Sequence, residues 1–223
     1  MQSNHPKGWF FCMKICRLHM YMYRVDLYIL HTVLIKERYE SVLSFVNEYR
    51  REKAERYAHE QDVLLSLGGG YLLKKYLPNE EIKINKNGKP YLENGPYFNL
   101  SHSKEYVVLA ISNSRDVGVD IELINDKKLD GVKYVLNEKE KDINDPETLF
   151  RIWSNKESLI KCLSTGIKDI KKVDGLPFDG VRTFNDKKYY TRSNVINKYA
   201  LSVTLEGDEP FEIMIHDVSS IDK

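Results

Sequence analysis

Cysteine is scarce in this 223-residue chain, which has only Cys12, Cys16 and Cys162. A small, odd number cannot build a disulfide framework and suits a reducing cytoplasm. An excess of charge of one sign is also missing. Lys and Arg number 34 against 33 Asp and Glu, a formal net charge of +1. That balance argues against bulk electrostatic binding to nucleic acid or to an anionic membrane. No apolar run approaches the roughly 20 residues that span a bilayer. The opening "MQSNHPKGWFFCMKICRLHMYMYRV" is interrupted by Lys14, Arg17 and His19. It lacks a continuous hydrophobic region and a small-residue cleavage site, so it does not read as a signal peptide. Cys12, Cys16 and His19 recur at helical spacing, but no fourth ligand accompanies them, and an apolar segment that carries thiols is the plainer reading. The triple glycine Gly68 to Gly70 is not followed by Gly-Lys-Ser/Thr, which favours close helix packing over a phosphate loop. Neither an internal repeat nor a low-complexity tract is present.

What is present is the composition of an ordinary globular protein, 42% hydrophobic and 30% charged. "YRVDLYIL" alternates as a strand with Val25, Leu27 and Ile29 on one face. Residues 36–60 predict one or two helices, with Val42, Phe45, Val46 and Tyr49 at helical spacing. "QDVLLSLGGGYLLKKYL" predicts a further apolar helix that Pro78 ends. "EIKINKNGKPYL" carries the Asn-Gly signal of a hairpin. A loop containing Ser101-His102-Ser103 is expected to lead into an apolar strand at 106–111. The turn "NSRD" then joins that strand to "GVDIE", expected as its antiparallel partner. "LNEKEKDI" predicts a helix, and "PETLFRIWSNKESLIKCLSTG" a well-marked one, from Pro146 to Gly166. Its apolar stripe is Leu149, Ile152, Trp153 and Ile160. The tail from Val173 reads as four strands. The expected fold is α+β in two halves, 22–104 and 105–223, with residues 1–21 an extension outside the fold that packs poorly.

Several clusters could carry chemistry. Asp120 and Glu122 share one face of a strand, either as the wet face of an edge strand or as half of a metal site. Glu157 and Lys161 lie four apart on one helix face, where a surface ion pair contributes only about 0.3–0.5 kcal/mol. Taken together, three carboxylates without His or Cys form a hard-oxygen set suited to Mg²⁺. A cation would also relieve the repulsion within "GVDIE". Ser101 and His102 could donate to a phosphate or cap a turn. The basic cluster Arg50, Arg51, Lys53 and Arg56 is interleaved with Glu48, Glu52 and Glu55, as on a solvated helix. Lys89 stands between a turn glycine and Pro90. Ser158-x-x-Lys161 matches a serine-enzyme pattern, but its companion elements are missing.

"NGKPYL", "FNLSHS", "GVDIE" and "WSNKESLIK" resemble, in order and spacing, the signature of Sfp-type 4′-phosphopantetheinyl transferases, closely over residues 87–166 and more weakly over 22–86. The resemblance implies two similar α+β halves related by a pseudo-twofold, with the active site in the cleft between them. It also implies transfer of the phosphopantetheine arm from coenzyme A to a serine of an apo acyl- or peptidyl-carrier protein, with release of adenosine 3′,5′-bisphosphate. Carried over residue by residue, Asp120, Glu122 and Glu157 are the Mg²⁺ ligands. Glu157, or a water it orients, takes the serine proton, and Lys161 stabilises the transferring phosphoryl oxygens. Ser101 and His102 contact coenzyme A phosphates, Lys89 and Pro90 lie against the adenine, and Arg50, Lys53 and Ser66 meet the 3′-phosphate. The chain departs from the pattern at Leu65 and Thr165, where basic residues are frequent. The expected protein is a cytoplasmic monomer with no nucleic-acid or membrane partner. The alternatives are a Mg²⁺ enzyme on another diphosphate and a non-catalytic relative that binds coenzyme A or a carrier.

Overall fold

The structure, a computed structural model, describes residues 23–221. The readings of residues 1–21 as a poorly packed extension, and of Cys12, Cys16 and His19, lie outside the described residues. Among the described residues no helix is long and apolar enough to cross a membrane.

β1 (Tyr23–His31) alternates as its sequence predicts. Val25, Leu27 and Ile29 enter a core shared between two sheets, while Tyr28 and Leu30 face helices. Around it lie β4 (Tyr97–Ser103), β5 (Tyr106–Ser112) and β10 (Phe211–Val218), in the order β10-β1-β5-β4. β10 runs parallel to β1, and the other pairs are antiparallel. The helices over this sheet are α1 (Thr32–Glu37), α2 (Tyr39–Phe45), α3 (Glu48–Glu55) and α4 (Glu60–Tyr76).

Where one or two helices were expected over 36–60, three short ones start earlier, at Thr32. His31 Nδ1 accepts from the Val33 N–H and starts α1 directly at the strand end. Arg38 (φ −122°, ψ 30°) breaks the run, and Asn47 Oδ1 accepts from the Arg50 N–H to restart it. Val42 and Val46 are buried, whereas Phe45 and Tyr49 are exposed. The triple glycine serves packing: a Cβ on Gly68 would stand 3.1 Å from Val107 Cγ2, and one on Gly70 3.1 Å from Val46 Cγ1. β2 (Lys83–Ile84) and β3 (Pro90–Tyr91) form the expected hairpin, with Gly88 at φ +87° in its turn.

The second sheet comprises β6 (Val117–Leu123), β7 (Asp179–Phe184), β8 (Lys187–Ile196) and β9 (Tyr199–Glu206), in the antiparallel order β6-β9-β8-β7. The short α5 (Leu129–Lys133) precedes α6 (Pro146–Leu163), which buries Leu149, Ile152, Leu159 and Ile160. The layers therefore run helices, sheet, sheet, helix, an α+β arrangement.

Five expectations change. Ser101-His102-Ser103 is the end of strand β4, not a loop, because Asn99 and Ser101 are buried by alternation and pair in register with β5. "GVDIE" is not the antiparallel partner of β5, because the turn at 113–116 carries the chain into the other sheet, where β6 pairs with β9. Residues 136–143 are turns rather than helix, because Glu140 points inward and accepts from the backbone N–H groups of Asn137 and Gly175. α6 ends at Leu163, with Ser164 in the left-handed region (φ 58°), two residues before Gly166. The division at 104/105 falls inside the β4–β5 hairpin. The sheets change at 113–116, and β10 returns to the first of them.

Candidate functional site

The pleat of β6 places Val119 and Ile121 in the inter-sheet core and turns Gly118, Asp120 and Glu122 to the other face. Gly118 sets how near α6 can come. A Cβ there would lie 2.0 Å from the carbonyl oxygen of Ser158 and 2.5 Å from the backbone nitrogen of Cys162. Only glycine permits that approach. Ser154 Oγ fastens the helix by donating to the backbone oxygen of Asp120 at 3.1 Å. About two turns further along α6, Lys161 reaches back over the strand.

The Lys161 ammonium lies 2.7 Å from Asp120 Oδ1 and 2.9 Å from Ser101 Oγ, and Ser101 in turn donates to the same carboxylate oxygen at 2.9 Å. Asp120 is buried, and its other oxygen, Oδ2, is sealed from solvent without a hydrogen-bond partner. Glu122 accepts from Ser103 Oγ at 3.1 Å. Burial, and then the charge of Asp120, push the Glu122 carboxyl up to about 7. Burial followed by Asp120 also raises Glu157, with Lys161 opposing. Three carboxylates thus face one ammonium, an excess of negative charge in a partly desiccated place.

An orphaned buried carboxylate oxygen and a surplus of hard-oxygen donors fit a divalent cation. As the side chains stand, no three acids, histidines or cysteines among the described residues are grouped to hold one ion.

His102 is solvent-accessible, yet the protein crowded around its ring, and then the Lys161 charge, hold its pKa below the ordinary histidine value. The field of Lys53 also reaches His102, so the basic helix α3 borders the same region. Lys53 lines a cavity of about 280 Å³ with Tyr49, Arg56 and Tyr57. The Arg50 stem packs on Gly70, and burial lowers its pKa. Ser66 Oγ is buried without a partner. Leu65 is buried in the helix-side core. A second cavity, of about 330 Å³, opens beside Glu122 between Lys127, Lys128, Phe150 and Trp153.

Lys89 has another engagement. Its ammonium lies 2.8 Å from Asp116 Oδ1 and 3.2 Å from the backbone oxygens of Val117 and Cys162. It ties the β2–β3 hairpin to the start of β6 and the end of α6, while Pro90 is half-buried in β3. Asn99, Ser103 and Gly118 escaped the sequence reading. The signal for the first two was the period-two spacing Asn99-x-Ser101-x-Ser103, visible only once that segment is known to be a strand.

Two family models match the chain in tandem: "4'-phosphopantetheinyl transferase, N-terminal" over residues 35–114 and "4'-phosphopantetheinyl transferase superfamily" over residues 116–209. Their boundary coincides with the turn between the sheets. The 4'-phosphopantetheinyl transferase gsp of Aneurinibacillus migulanus is 35% identical over 56% of this chain and 58% of its own length. The 4'-phosphopantetheinyl transferase Sfp of Bacillus subtilis (strain 168) is 29% identical, and ffp of Bacillus subtilis 30% identical, each over 60% of this chain and 67% of its own length. The chain thus matches somewhat more than half, to about two thirds, of these relatives. With β4, β6 and α6 converging as described, the chain belongs to the 4'-phosphopantetheinyl transferase superfamily.

Proposed function

We propose that the protein transfers the 4′-phosphopantetheine arm of coenzyme A to a serine of an apo acyl- or peptidyl-carrier protein. One observation carries this reading: Asp120 from β6, Ser101 from β4 and Lys161 from α6 meet at one seam, where Asp120 Oδ2 is buried without a partner and the Asp120 charge reaches both Glu122 and Glu157. Asp120, Glu122 and Glu157 would hold a Mg²⁺ ion. When bound, it supplies positive charge for the pyrophosphate and for the leaving phosphate. In the proposed step the carrier serine oxygen bonds to the phosphorus that carries the pantetheine arm, and the P–O bond to adenosine 3′,5′-bisphosphate breaks. The serine proton passes to Glu157, or to a water that Glu157 orients. Lys161 supports the phosphoryl oxygens from one helical turn away.

The 3′-phosphate would rest on the basic helix, near Arg50, Lys53 and Ser66. The adenine would lie toward Lys89 and Pro90, with Lys89 itself spent mostly on Asp116. The carrier serine would enter from the Lys127–Lys128 side of the cavity beside Glu122, where two cations suit an acidic partner. We read the two sheets as the cores of two similar halves related by a pseudo-twofold, working as a cytoplasmic monomer. The test is to incubate the protein with coenzyme A, Mg²⁺ and apo carrier proteins and weigh the carriers. The expected result is a mass gain of one phosphopantetheine arm that disappears with chelator. No gain on any carrier overturns the activity. A gain that survives chelation overturns the metal.

A further inference from the structure

β6 is the edge strand of its sheet, and the N–H groups on its outer side need partners. They find them in side chains of the other sheet. The N–H of Val119 donates to Asn99 Oδ1 at 3.0 Å, that of Ile121 to Ser101 Oγ at 3.4 Å, and that of Leu123 to Ser103 Oγ at 3.1 Å. The offset is the same at each rung, so β4 and β6 run side by side in one direction, joined through side chains rather than as paired strands.

Each serine of this ladder does two things. Ser101 accepts from one β6 N–H and donates to the acid just before it, Asp120; Ser103 does the same with Leu123 and Glu122. A hydroxyl has one proton and two lone pairs, so both rotors are fixed by groups of β6 itself. The two acids differ in what else holds them. Asp120 is also gripped by Lys161. Glu122 has one more rotatable bond and, among the described residues, no ion pair; its side-chain hydrogen bond comes from Ser103.

We propose that Ser103 is the positioning residue for Glu122, holding its carboxylate on the Asp120 side of β6 so that the pair is preset for a divalent cation. The inference rests on the reading of Glu122 as a ligand of that cation. Presetting matters because a free glutamate must give up rotamer freedom on binding a metal, and partners that orient ligands typically change metal affinity by about 10–100-fold.

The experiment uses the full chain and Mn²⁺ as the probe, titrated by electron paramagnetic resonance with coenzyme A present, alongside melting temperature and transfer kinetics. Ser103→Ala is expected to weaken Mn²⁺ roughly ten- to a hundredfold. It should lower kcat at limiting metal and leave the KM for coenzyme A within about twofold. Ser103→Thr, which keeps the hydroxyl, should restore both. A Ser103→Ala protein with a lower melting temperature but unchanged Mn²⁺ affinity overturns the proposal, leaving Ser103 a rung of the seam and nothing more. Failure of Ser103→Thr to recover affinity while its melting temperature is normal overturns it as well. A wild-type protein that transfers the arm yet binds no Mn²⁺ instead removes the metal reading beneath it.

Discussion

Lys156 and Glu140 form an ion pair of 2.6 Å with both side chains closed to solvent, on the side of α6 away from Asp120. Lys156 also donates to the backbone oxygen of Val135 at 2.9 Å, and Glu140 receives two backbone N–H groups. The pair anchors the turns at 136–143 to the helix that bears Glu157 and Lys161. Removing one partner strands a buried charge, which typically costs about 3–5 kcal/mol. Lys156→Met should therefore destabilise the protein by about that amount in urea denaturation. The double variant Lys156→Met with Glu140→Leu should recover most of the loss, because replacing both charges removes the desolvation penalty with the attraction.

Gly118→Ala should harm both stability and activity. The added methyl would meet the backbone of Ser158 and Cys162, which cannot rotate away. The expected cost is at least about 2 kcal/mol, read from the denaturation midpoint, together with a large loss of transfer as α6 lifts from β6. Gly131→Ala, where a Cβ meets nothing within 4 Å, should leave the denaturation midpoint nearly unchanged.

The raised Glu122 gives a pH signature. Folding holds its proton more tightly than the unfolded chain does, so the metal-free protein binds more protons folded than unfolded between about pH 4.3, the ordinary glutamate value, and about 7. Stability should then fall as pH rises through that window and level off above it. Glu157 acts in the same direction. Because a cation takes the ionised carboxylate, Mg²⁺ should bind more tightly with rising pH and offset the decline. Melting temperatures across pH 4 to 8, with and without Mg²⁺, check both halves. His102, held below its ordinary value, acts the opposite way, so the check compares wild type with Glu122→Gln. A wild-type profile that does not fall relative to the variant's through this window contradicts the assignment.

Asp120→Asn keeps the shape of the site and removes the charge that meets Lys161. It should lower kcat for transfer by roughly 10²–10³-fold, the range for losing one electrostatic stabiliser. Lys161→Ala should lower it comparably, with an unchanged circular dichroism spectrum.

The elements with strong local signals were legible: α6 from Pro146 and its apolar stripe, the Asn-Gly hairpin, and the four strands of the tail. The acids of "GVDIE" could be placed on one face by strand alternation alone. What sequence could not supply was anything that depends on which strands are neighbours. Ser101 and Ser103 look like loop residues because their polarity suits solvent, yet they face β6 across a seam between sheets. "LNEKEKDI" has helical composition, but Glu140 is drawn inward by Lys156. Lys89 beside a turn glycine looked free for a ligand, and only the folded chain brings Asp116 to it.

The parallel pairing of β10 with β1 has a bearing on how the chain is assembled. β1 leads the described residues and β10 closes them, so the first sheet stays open on one side until all four strands of the second have been synthesised. Contacts of such wide sequence separation form late and slow folding. Splitting the chain at the turn between the family-matched regions would therefore not release two self-sufficient units. The leading fragment would expose Tyr23–His31 as a bare edge, prone to self-association, and supplying Phe211–Val218 in trans is what would quiet it.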